Sequence, residues 1–208
     1  MPGRSPVTIT PAAAGRRERN KQQKLERIVQ AASELFSAHG VDDVTTQQIA
    51  DQADIGAGTL FLYAKNKGEL LLLVQNSHYE EALQKGTAAA AHARGCVASV
   101  MAIVGPIVEC NRVHVGNGQT YLREIAFGDP NETQHAHALD IVARTEAAIA
   151  EALASRGAFE PARAAVAATI VSAIMFLALA RSEPQRRDEE VTALIEQQVA
   201  VLLDGARE

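Results

Sequence analysis

The sequence predicts an all-α protein, on two main observations. Apolar residues make up 47% of the 208 residues and aromatic residues only 4%, so the apolar content is mostly Ala, Val, Leu and Ile. This composition is typical of helical globular proteins. Apolar residues recur at helical spacing along most of the chain, and no strand pattern of convincing length interrupts them. The length suits one domain, or a small domain joined to a larger one.

The N-terminal segment is basic, and residues 1–19 are predicted to be a disordered arm. Residues 1–27 carry a net charge of +5, whereas the rest of the chain sums to −10. A basic segment ahead of an acidic body favours binding to phosphates, and the alternative is a solvated tail without a partner. Pro, Ala, Gly, Ser and Thr dominate the first fifteen residues, which favours disorder.

The first helix is predicted over about residues 20–39. Its apolar residues recur at spacings of three and four and form one stripe, made of Leu25, Ile28, Val29, Ala32, Leu35 and Phe36. Gly40 ends the helix, because glycine readily adopts the left-handed conformation that closes helices.

Two short helices follow. Thr45 and Gln48 have the spacing of a capping box, which predicts a helix over about 46–53. A turn that contains Gly56 separates it from a second short helix, predicted over about 57–64. Two short helices joined by a turn that contains glycine describe a helix-turn-helix, here at about 46–65.

The rest of the chain is helical in character. Glycine and proline mark the breaks, at Gly86 or Gly95, at the Gly-Asn-Gly segment 116–118, and before Pro130, Pro161 and Pro184. The predicted helices span about 67–92, 95–113, 118–128, 131–156, 161–181 and 188–205.

Several classes of protein are excluded or disfavoured. Two cysteines are too few for a disulfide scaffold, and no secretory signal is evident, so we expect a cytoplasmic protein. The longest uncharged stretch, 164–180, is short for a membrane span and favours a helix buried in a bundle or at a subunit interface. The sequence contains no Gly-rich phosphate loop, nucleophile elbow or HExxH motif, and we expect no cofactor and no metal.

Residues 25–74 resemble the DNA-binding domain of the TetR (tetracycline repressor), AcrR-type family of transcriptional regulators. The resemblance rests on three segments in the right order and spacing, LERIVQAASELFSAHG, VDDVTTQQIADQADI and GAGTLFLYAKNKGELLLLV. It covers about a quarter of the chain. It implies a DNA-binding domain at 20–66 and a helical effector-binding and dimerisation domain at 67–208.

The second short helix of a helix-turn-helix enters the major groove, and its neighbours bind phosphates. Small residues at its start let the backbone approach DNA, and the outward side chains contact bases or phosphates. The predicted DNA-binding residues are Thr46, Gln47, Ala57, Gly58, Thr59, Phe61, Leu62, Tyr63, Lys65 and Lys67. Thr45 is interpreted as an N-cap. The alternatives for Phe61 and Tyr63 are a core position and an ordinary boundary position.

The resemblance also implies a homodimer through the last two helices, at about 161–181 and 188–205, and hence a palindromic DNA operator. The alternative for helix 161–181 is burial within one subunit. A ligand pocket is implied in the middle of the helical domain. Its predicted apolar walls are Met101, Val104, Val108, Ile125, Phe127, Leu139, Val142, Met175 and Phe176, and its polar candidates are Glu109, Arg112, Tyr121, Arg123, Glu124 and Arg144.

The predicted function is therefore a ligand-responsive transcriptional regulator, a repressor that releases its operator when a small molecule binds. The alternatives are an all-helical enzyme and a DNA-binding protein without an effector. Glu132, His114, His135 and His137 are a weaker candidate for a metal site, and exposed histidines are the favoured interpretation. Cys96 and Cys110 are predicted to lie about 21 Å apart on one helix, beyond the reach of a disulfide.

Overall fold

The computed structural model describes residues 11–155 and 159–205. In these ranges the chain forms nine helices and no strand, which confirms the all-α prediction. The helices are α1 (Pro11–His39), α2 (Thr46–Gln52), α3 (Ala57–Leu60), α4 (Lys67–His92), α5 (Cys96–Arg112), α6 (Val115–Phe127), α7 (Thr133–Ala154), α8 (Pro161–Ala180) and α9 (Asp188–Gly205).

Helix α1 begins at Pro11, nine residues before the predicted start. The prediction of a disordered arm is therefore wrong for residues 11–19, and residues 1–10 lie outside the described part of the chain. Proline is favoured at the first position of a helix because its φ angle is already helical and it has no amide hydrogen to leave unpaired. The Ala, Arg, Lys and Gln residues that follow have high helix propensity, which outweighs the polar composition.

Helices α1, α2 and α3 pack around a small apolar core to which Phe36, Ile49 and Leu60 contribute buried side chains. The capping box of α2 is present as predicted. The Gln48 amide donates to Thr45 Oγ1 at 3.2 Å, and the Thr45 amide donates to Gln48 Oε1 at 2.8 Å. These reciprocal hydrogen bonds satisfy amides that the first turn of a helix leaves unpaired.

Helix α3 is shorter than predicted, because the helix expected over 57–64 ends at Leu60 and turns follow it. Leu60 and Ala64 are both buried. Asn66 then caps the next helix by accepting a hydrogen bond from the Glu69 amide at 2.8 Å.

The Gly-Asn-Gly segment at 116–118 lies in the first turn of α6, so the predicted turn there is wrong. Asn117 Oδ1 accepts a hydrogen bond from the Val41 amide at 2.8 Å. Gly118 packs so closely on Asn111 that a Cβ atom would lie 2.2 Å from the Asn111 carbonyl oxygen. These residues therefore serve close contacts between distant segments.

The helices after α3 continue the same hydrophobic core and contribute most of it. Gly86 lies inside α4, where a Cβ atom would lie 2.8 Å from Ile103 Cα, so it permits close packing of α4 on α5. The break between these two helices falls at Gly95, whose φ of +89° favours glycine. The buried side chains of this core include Leu70, Leu83, Val104, Ile149, Leu153, Val171 and Leu179.

Helix α8 buries one face and exposes another apolar face. Its length and composition would allow a membrane span, and it is the one unbroken helix among the described residues that passes this test. The face that carries Val171 and Leu179 packs inside the chain, whereas Val166, Ile170 and Leu177 are exposed. A core helix of a bundle meets the same criteria of length and composition.

Candidate nucleic-acid interface and internal cavity

The segment around α3 presents an open surface. Phe61 is 46% exposed and Leu62 is 82% exposed, while Leu60 next to them is buried. Gly56 and Gly58 have open space on their Cβ side, with no heavy atom within 4 Å. Two exposed apolar side chains beside uncovered backbone form a surface that could approach another molecule closely. We call residues 56–63 the reading segment.

The remaining predicted DNA-binding residues lie at the start of α2, within the reading segment and just after it. Gln47 is exposed near the start of α2 and its amide group donates to Asp51 Oδ1 at 2.7 Å. Three more, Ala57, Thr59 and Thr46, are half-buried. Thr45 is exposed, and its hydroxyl oxygen accepts the capping hydrogen bond of α2.

The polar groups after α3 are held by hydrogen bonds and an ion pair. The Tyr63 hydroxyl donates to the carbonyl of Lys21 on α1 at 3.3 Å. The Lys67 ammonium donates to the Asp42 carbonyl at 3.0 Å, in the loop before α2. Both contacts tie this edge of the reading segment to the first two helices.

Lys65 has a different environment. Its ammonium lies 3.1 Å from a carboxylate oxygen of Glu132, whose side chain is largely buried just before α7. This ion pair directs Lys65 towards α7. The Lys65 side chain nevertheless remains 68% exposed.

The start of α7 is capped by a residue of α4. Glu69 is buried, and its Oε1 accepts hydrogen bonds from the amides of Gln134 and His135, each at 3.0 Å. Glu69 thus performs for α7 what an N-cap side chain normally does for its own helix. Because Asn66 caps α4 only three residues earlier, the entry to α4 and the start of α7 are mechanically joined.

Replacing Glu69 with Gln tests this cap and the cost of its charge. Burial raises the pKa of the Glu69 carboxyl above its ordinary value, so the ionised form costs stability at neutral pH. At pH values above the raised pKa, this cost is fully present. It disappears as the pH falls through the raised pKa to below the lower pKa that the carboxyl has in the unfolded state. The glutamine oxygen can still accept both hydrogen bonds. We therefore expect Glu69→Gln to be at least as stable as the parent near pH 7, with the difference vanishing in acid.

Urea denaturation of both proteins between about pH 4 and pH 8 measures this difference. Glu69→Ala is the matched control, because it removes the acceptor and should cost about 1 to 2 kcal/mol. A parent protein whose advantage over Glu69→Gln grows as the pH rises would contradict the expected sign.

A small apolar cavity of about 90 Å³ lies between α4, α5, α6, α7 and α8. None of the described residues that line it is charged. Its polar side chains are two tyrosines, a threonine and a serine. The lining residues are Tyr79, Ile107, Tyr121, Leu122, Ile125, Ile141, Val142, Thr145, Ser172, Met175, Phe176 and Leu179.

The two tyrosines of the cavity wall stack, with ring centroids 4.2 Å apart and planes inclined by 9°. The Tyr121 hydroxyl donates to Asn76 Oδ1 at 2.9 Å, and Asn111 Nδ2 donates to the Tyr79 hydroxyl at 2.7 Å. Burial raises the pKa of both phenols, so they stay protonated at neutral pH. The hydroxyls are thus committed to a buried network shared by α4, α5 and α6.

Residues 28–74 match the family of bacterial regulatory proteins, tetR family. This segment is similar to the DNA-binding domain of the TetR family. The match contains α2, α3 and the turn between them, which are the helix-turn-helix of the family's DNA-binding domain. The resemblance drawn from the sequence is thereby confirmed.

Other known proteins support the same assignment. An uncharacterized HTH-type transcriptional regulator from Haemophilus influenzae is 37% identical over 51 residues, which are 24% of this chain and 27% of that one. The chain therefore matches about a quarter of that relative's length.

Solved structures share the whole fold. The structure of Thermus thermophilus FadR, a TetR family transcriptional repressor in complex with lauroyl-CoA, has a TM-score of 0.71 at 22% identity, covering 87% of this chain and 94% of that one. A TetR-family transcriptional regulator from Streptomyces coelicolor has a TM-score of 0.65 at 19% identity, covering 97% and 98%. At these identities the likeness establishes the fold alone.

The structure brings part of the predicted ligand-binding set to the cavity. Five of the predicted residues line it, namely Tyr121, Ile125, Val142, Met175 and Phe176. The other apolar candidates do not. Val104 and Val108 are buried in the core, Phe127 is 85% exposed, and Leu139 is exposed. Met101 is half-buried against the core without reaching the cavity.

Apart from Tyr121, the predicted polar ligand-binding residues lie outside the cavity. Arg112 is buried, and its guanidinium donates to Asp188 Oδ1 at 2.5 Å and to Ser182 Oγ at 2.6 Å, so it fastens the start of α9 to α5. Glu109 pairs with Lys85 at the surface. The candidates in this group outside the cavity are Glu109, Arg112, Arg123, Glu124 and Arg144.

Two of these outlying residues make contacts of their own. Glu124 lies against the first turn of α4, where a Cβ atom on Gly68 would lie 2.5 Å from its carboxylate. Arg144 binds Glu80 of α4 and Asp140 of its own helix. Both side chains therefore join helices and do not line the cavity.

Sequence reasoning did not identify seven of the cavity residues, which are Tyr79, Ile107, Leu122, Ile141, Thr145, Ser172 and Leu179. Each lies on an apolar helix face, and its sequence pattern does not distinguish it from an ordinary core position. The sequence carries one weak signal, a tyrosine in each of two predicted helices, but nothing in it shows that the two rings stack.

The structure places the histidines and cysteines that were considered as metal or disulfide candidates. His135 is buried, whereas these histidines were expected to be exposed. It is buried because its backbone is part of the α7 cap and its ring packs on Gly128. Among the described residues, no cluster of three acidic, His or Cys groups could hold a metal ion. Cys96 and Cys110 are free and both lie on α5, and burial raises the pKa of the Cys110 thiol to about 11.

Proposed function

We propose that this TetR-family protein is a transcriptional repressor that binds a palindromic operator as a homodimer and releases it when an apolar small molecule enters the cavity. The observation that carries the proposal is the connection between the two sites. Tyr79 of the cavity wall belongs to α4, and Tyr121 donates a hydrogen bond to Asn76 of α4. Helix α4 begins a few residues after the reading segment. The protein would act in the cytoplasm, where bacterial DNA lies.

The reading segment supports direct contact with DNA. Phe61 and Leu62 project into solvent, where they can pack against thymine methyl groups in the major groove. The bare backbone at Gly56 and Gly58 allows close approach to the bases. The Tyr63 hydroxyl and the Lys67 ammonium lie at the end of the segment, where they can contact phosphates. Thr46, Gln47, Ala57, Thr59 and Lys65 complete the proposed interface.

The exposed apolar face of α8 supports dimerisation. A groove between α8 and α9 is lined mainly by apolar residues, which are Ile170, Ala173, Ile174, Leu177, Ala178 and Leu194. A contiguous apolar surface of this kind marks an interaction site in a soluble protein. A second copy packing the same two helices would cover it and place two reading segments in successive major grooves.

Replacing Leu177 with Glu tests the dimer. Leu177 is 55% exposed in the single chain, so the substitution leaves the subunit core intact but buries a charge in the proposed interface. We expect the dimer to dissociate and operator affinity to fall by at least about tenfold. Light scattering after size-exclusion chromatography measures the oligomeric state. Val113→Glu, on an exposed position outside the groove, should remain dimeric, and a dimeric Leu177→Glu would place the interface elsewhere.

The chemistry of the cavity supports an uncharged, apolar effector. The lining residues among the described ranges carry no charge, and the Thr145 hydroxyl already donates to the Ile141 carbonyl at 2.8 Å. An ionised group entering this cavity would lose its hydration without a compensating partner. The Thermus thermophilus neighbour was solved with lauroyl-CoA, which makes an acyl chain the first class of effector to test.

The size of the cavity explains how binding would act on DNA. At about 90 Å³ it is much smaller than the pockets of roughly 300 Å³ or more that hold drug-sized ligands. An effector would therefore displace the Tyr79–Tyr121 stack and, through Asn76 and Asn111, shift α4. The effect on DNA is limited by how much better the effector binds the shifted state.

The first experiment is selection of bound sequences from a random duplex library with the purified full-length protein. An enriched palindrome would support the proposal and provide the probe for release by uncharged acyl compounds, with cationic compounds of similar size as controls. A folded dimer that enriches no sequence would overturn operator recognition. Binding that no small molecule alters would favour a DNA-binding protein without an effector, and product formation in a turnover assay would favour an enzyme.

A further inference from the structure

The first turns of α1 carry a basic face. At about 100° per residue, Arg16, Arg17, Lys21, Lys24 and Arg27 fall within an arc of about 140°. Glu18 and Glu26, the two acidic residues of this stretch, lie outside the arc, as does Arg19. All eight side chains are exposed. The helix therefore separates its charges by face, which a disordered arm could not do.

The basic face continues the side of α1 that packs on the helix-turn-helix. Further along the helix, Ile28 and Ala31 fall in the same arc and are buried in the core shared with α2 and α3. The basic face thus points to the side on which the reading segment lies.

Two contacts anchor the face beside the reading segment. The Tyr63 hydroxyl, at the end of that segment, donates to the Lys21 carbonyl at 3.3 Å. Arg27 Nη1 lies 3.3 Å from Asp54 Oδ2 in the turn before α3. Residues before Lys21 extend past these contacts, and Arg16 lies about 7 to 8 Å further along the helix axis at 1.5 Å per residue.

We propose that the basic face of α1 binds the phosphate backbone of DNA just outside the half-site read by α3. The inference rests on the proposed DNA binding and adds a second contact surface to it. A rigid row of cations about one turn beyond the reading segment reaches phosphates that flank the half-site and carry no sequence information. Each cation that neutralises a phosphate steepens the dependence of log affinity on log salt by about 0.9.

DNA is the partner that the charges favour over a membrane surface. A helix that lies on a membrane needs an apolar face opposite its basic face. On α1 the opposite side of residues 16–24 carries Glu18, Arg19, Gln22 and Gln23. This polar side leaves no apolar surface to insert into lipid.

The test compares two arginines two residues apart. Arg17→Gln removes a cation from the basic face, and Arg19→Gln removes the same charge from the opposite side. With the full-length protein and a labelled random-sequence duplex of about 40 base pairs, we expect Arg17→Gln to lower the salt slope by about one unit and Arg19→Gln to leave it nearly unchanged. Fluorescence anisotropy across a range of NaCl concentrations measures the slopes.

Asn20→Pro provides a second test, because proline inside a helix disrupts the preceding turn. It should lower the slope as Arg17→Gln does while every charge remains in place. Circular dichroism should show that the rest of the fold is intact in all three variants.

An equal reduction of the salt slope in Arg17→Gln and Arg19→Gln would show a disordered charged arm and overturn the inference. Unchanged DNA slopes with loss of binding to phosphatidylglycerol vesicles in Arg17→Gln would assign the face to a membrane instead. If the parent protein bound no DNA at any salt concentration, the proposed function itself would fail. If all proteins bound DNA with the same slope, only the basic face would be excluded.

Discussion

Replacing Gly118 with Ala is expected to lower the free energy of unfolding by about 2 to 3 kcal/mol. A Cβ atom at this position would lie 2.2 Å from the Asn111 carbonyl oxygen and 2.7 Å from Asn111 Oδ1. The carbonyl belongs to the backbone of α5, so it cannot rotate away. Asn111 also donates to the Tyr79 hydroxyl, and a shift of α5 would therefore disturb the cavity wall.

Gly116→Ala is the matched control in the same helical turn. A Cβ atom there would meet only the His114 ring, at 3.5 Å, which is ordinary contact. Alanine has the higher helix propensity, so this variant should be neutral or more stable by up to about 1 kcal/mol. Urea denaturation of the three proteins measures the differences. Equal stability of the two variants would show that α6 does not approach α5 as closely as the structure has it.

Replacing Gly58 with Leu is expected to abolish specific operator binding while leaving the fold unchanged. The Cβ position of Gly58 faces open space, so a leucine side chain meets nothing within the chain. In the proposed complex the same space is filled by DNA. A steric block at the centre of the reading segment should weaken operator binding by at least about 100-fold, equivalent to about 2.7 kcal/mol.

Gly58→Ala gives the graded comparison, because a single methyl group should cost less than the leucine side chain. Anisotropy titrations on the selected operator measure both affinities, and thermal melts and light scattering verify the fold and the dimer. A Gly58→Leu protein that binds the operator as tightly as the parent would remove α3 from the DNA interface. Loss of thermal stability would show instead that the surface is packed inside the protein.

Features that depend on neighbouring residues in the sequence, such as helix caps and exposed positions, were predicted correctly. The capping box of Thr45 and Gln48 and the exposure of Leu62 are both found as predicted. Caps and helical periodicity depend on residues within one or two turns of each other, so the sequence alone contains the information.

Where the outcome depended on distant partners, local patterns in the sequence did not indicate it. The glycines at 116–118 looked like a turn, but they lie in a helix because Asn117 and Gly118 contact Val41 and Asn111. Polar candidates for the pocket became structural links, as Arg112 did with Asp188. A buried polar side chain satisfies whatever group is nearest in space, and that group can be anywhere in the sequence.

The sequence by itself determined that this chain is all-α, that it carries a TetR-family helix-turn-helix, and that its N-terminus is basic, because composition, caps and spacing are local properties. Only the tertiary structure decided that Glu69 caps α7, that Tyr79 and Tyr121 stack in the cavity wall, and that the basic residues of α1 share one face beside the reading segment. Close packing of helices selects these contacts, since the core positions of a helix look alike until the neighbouring helix is in place.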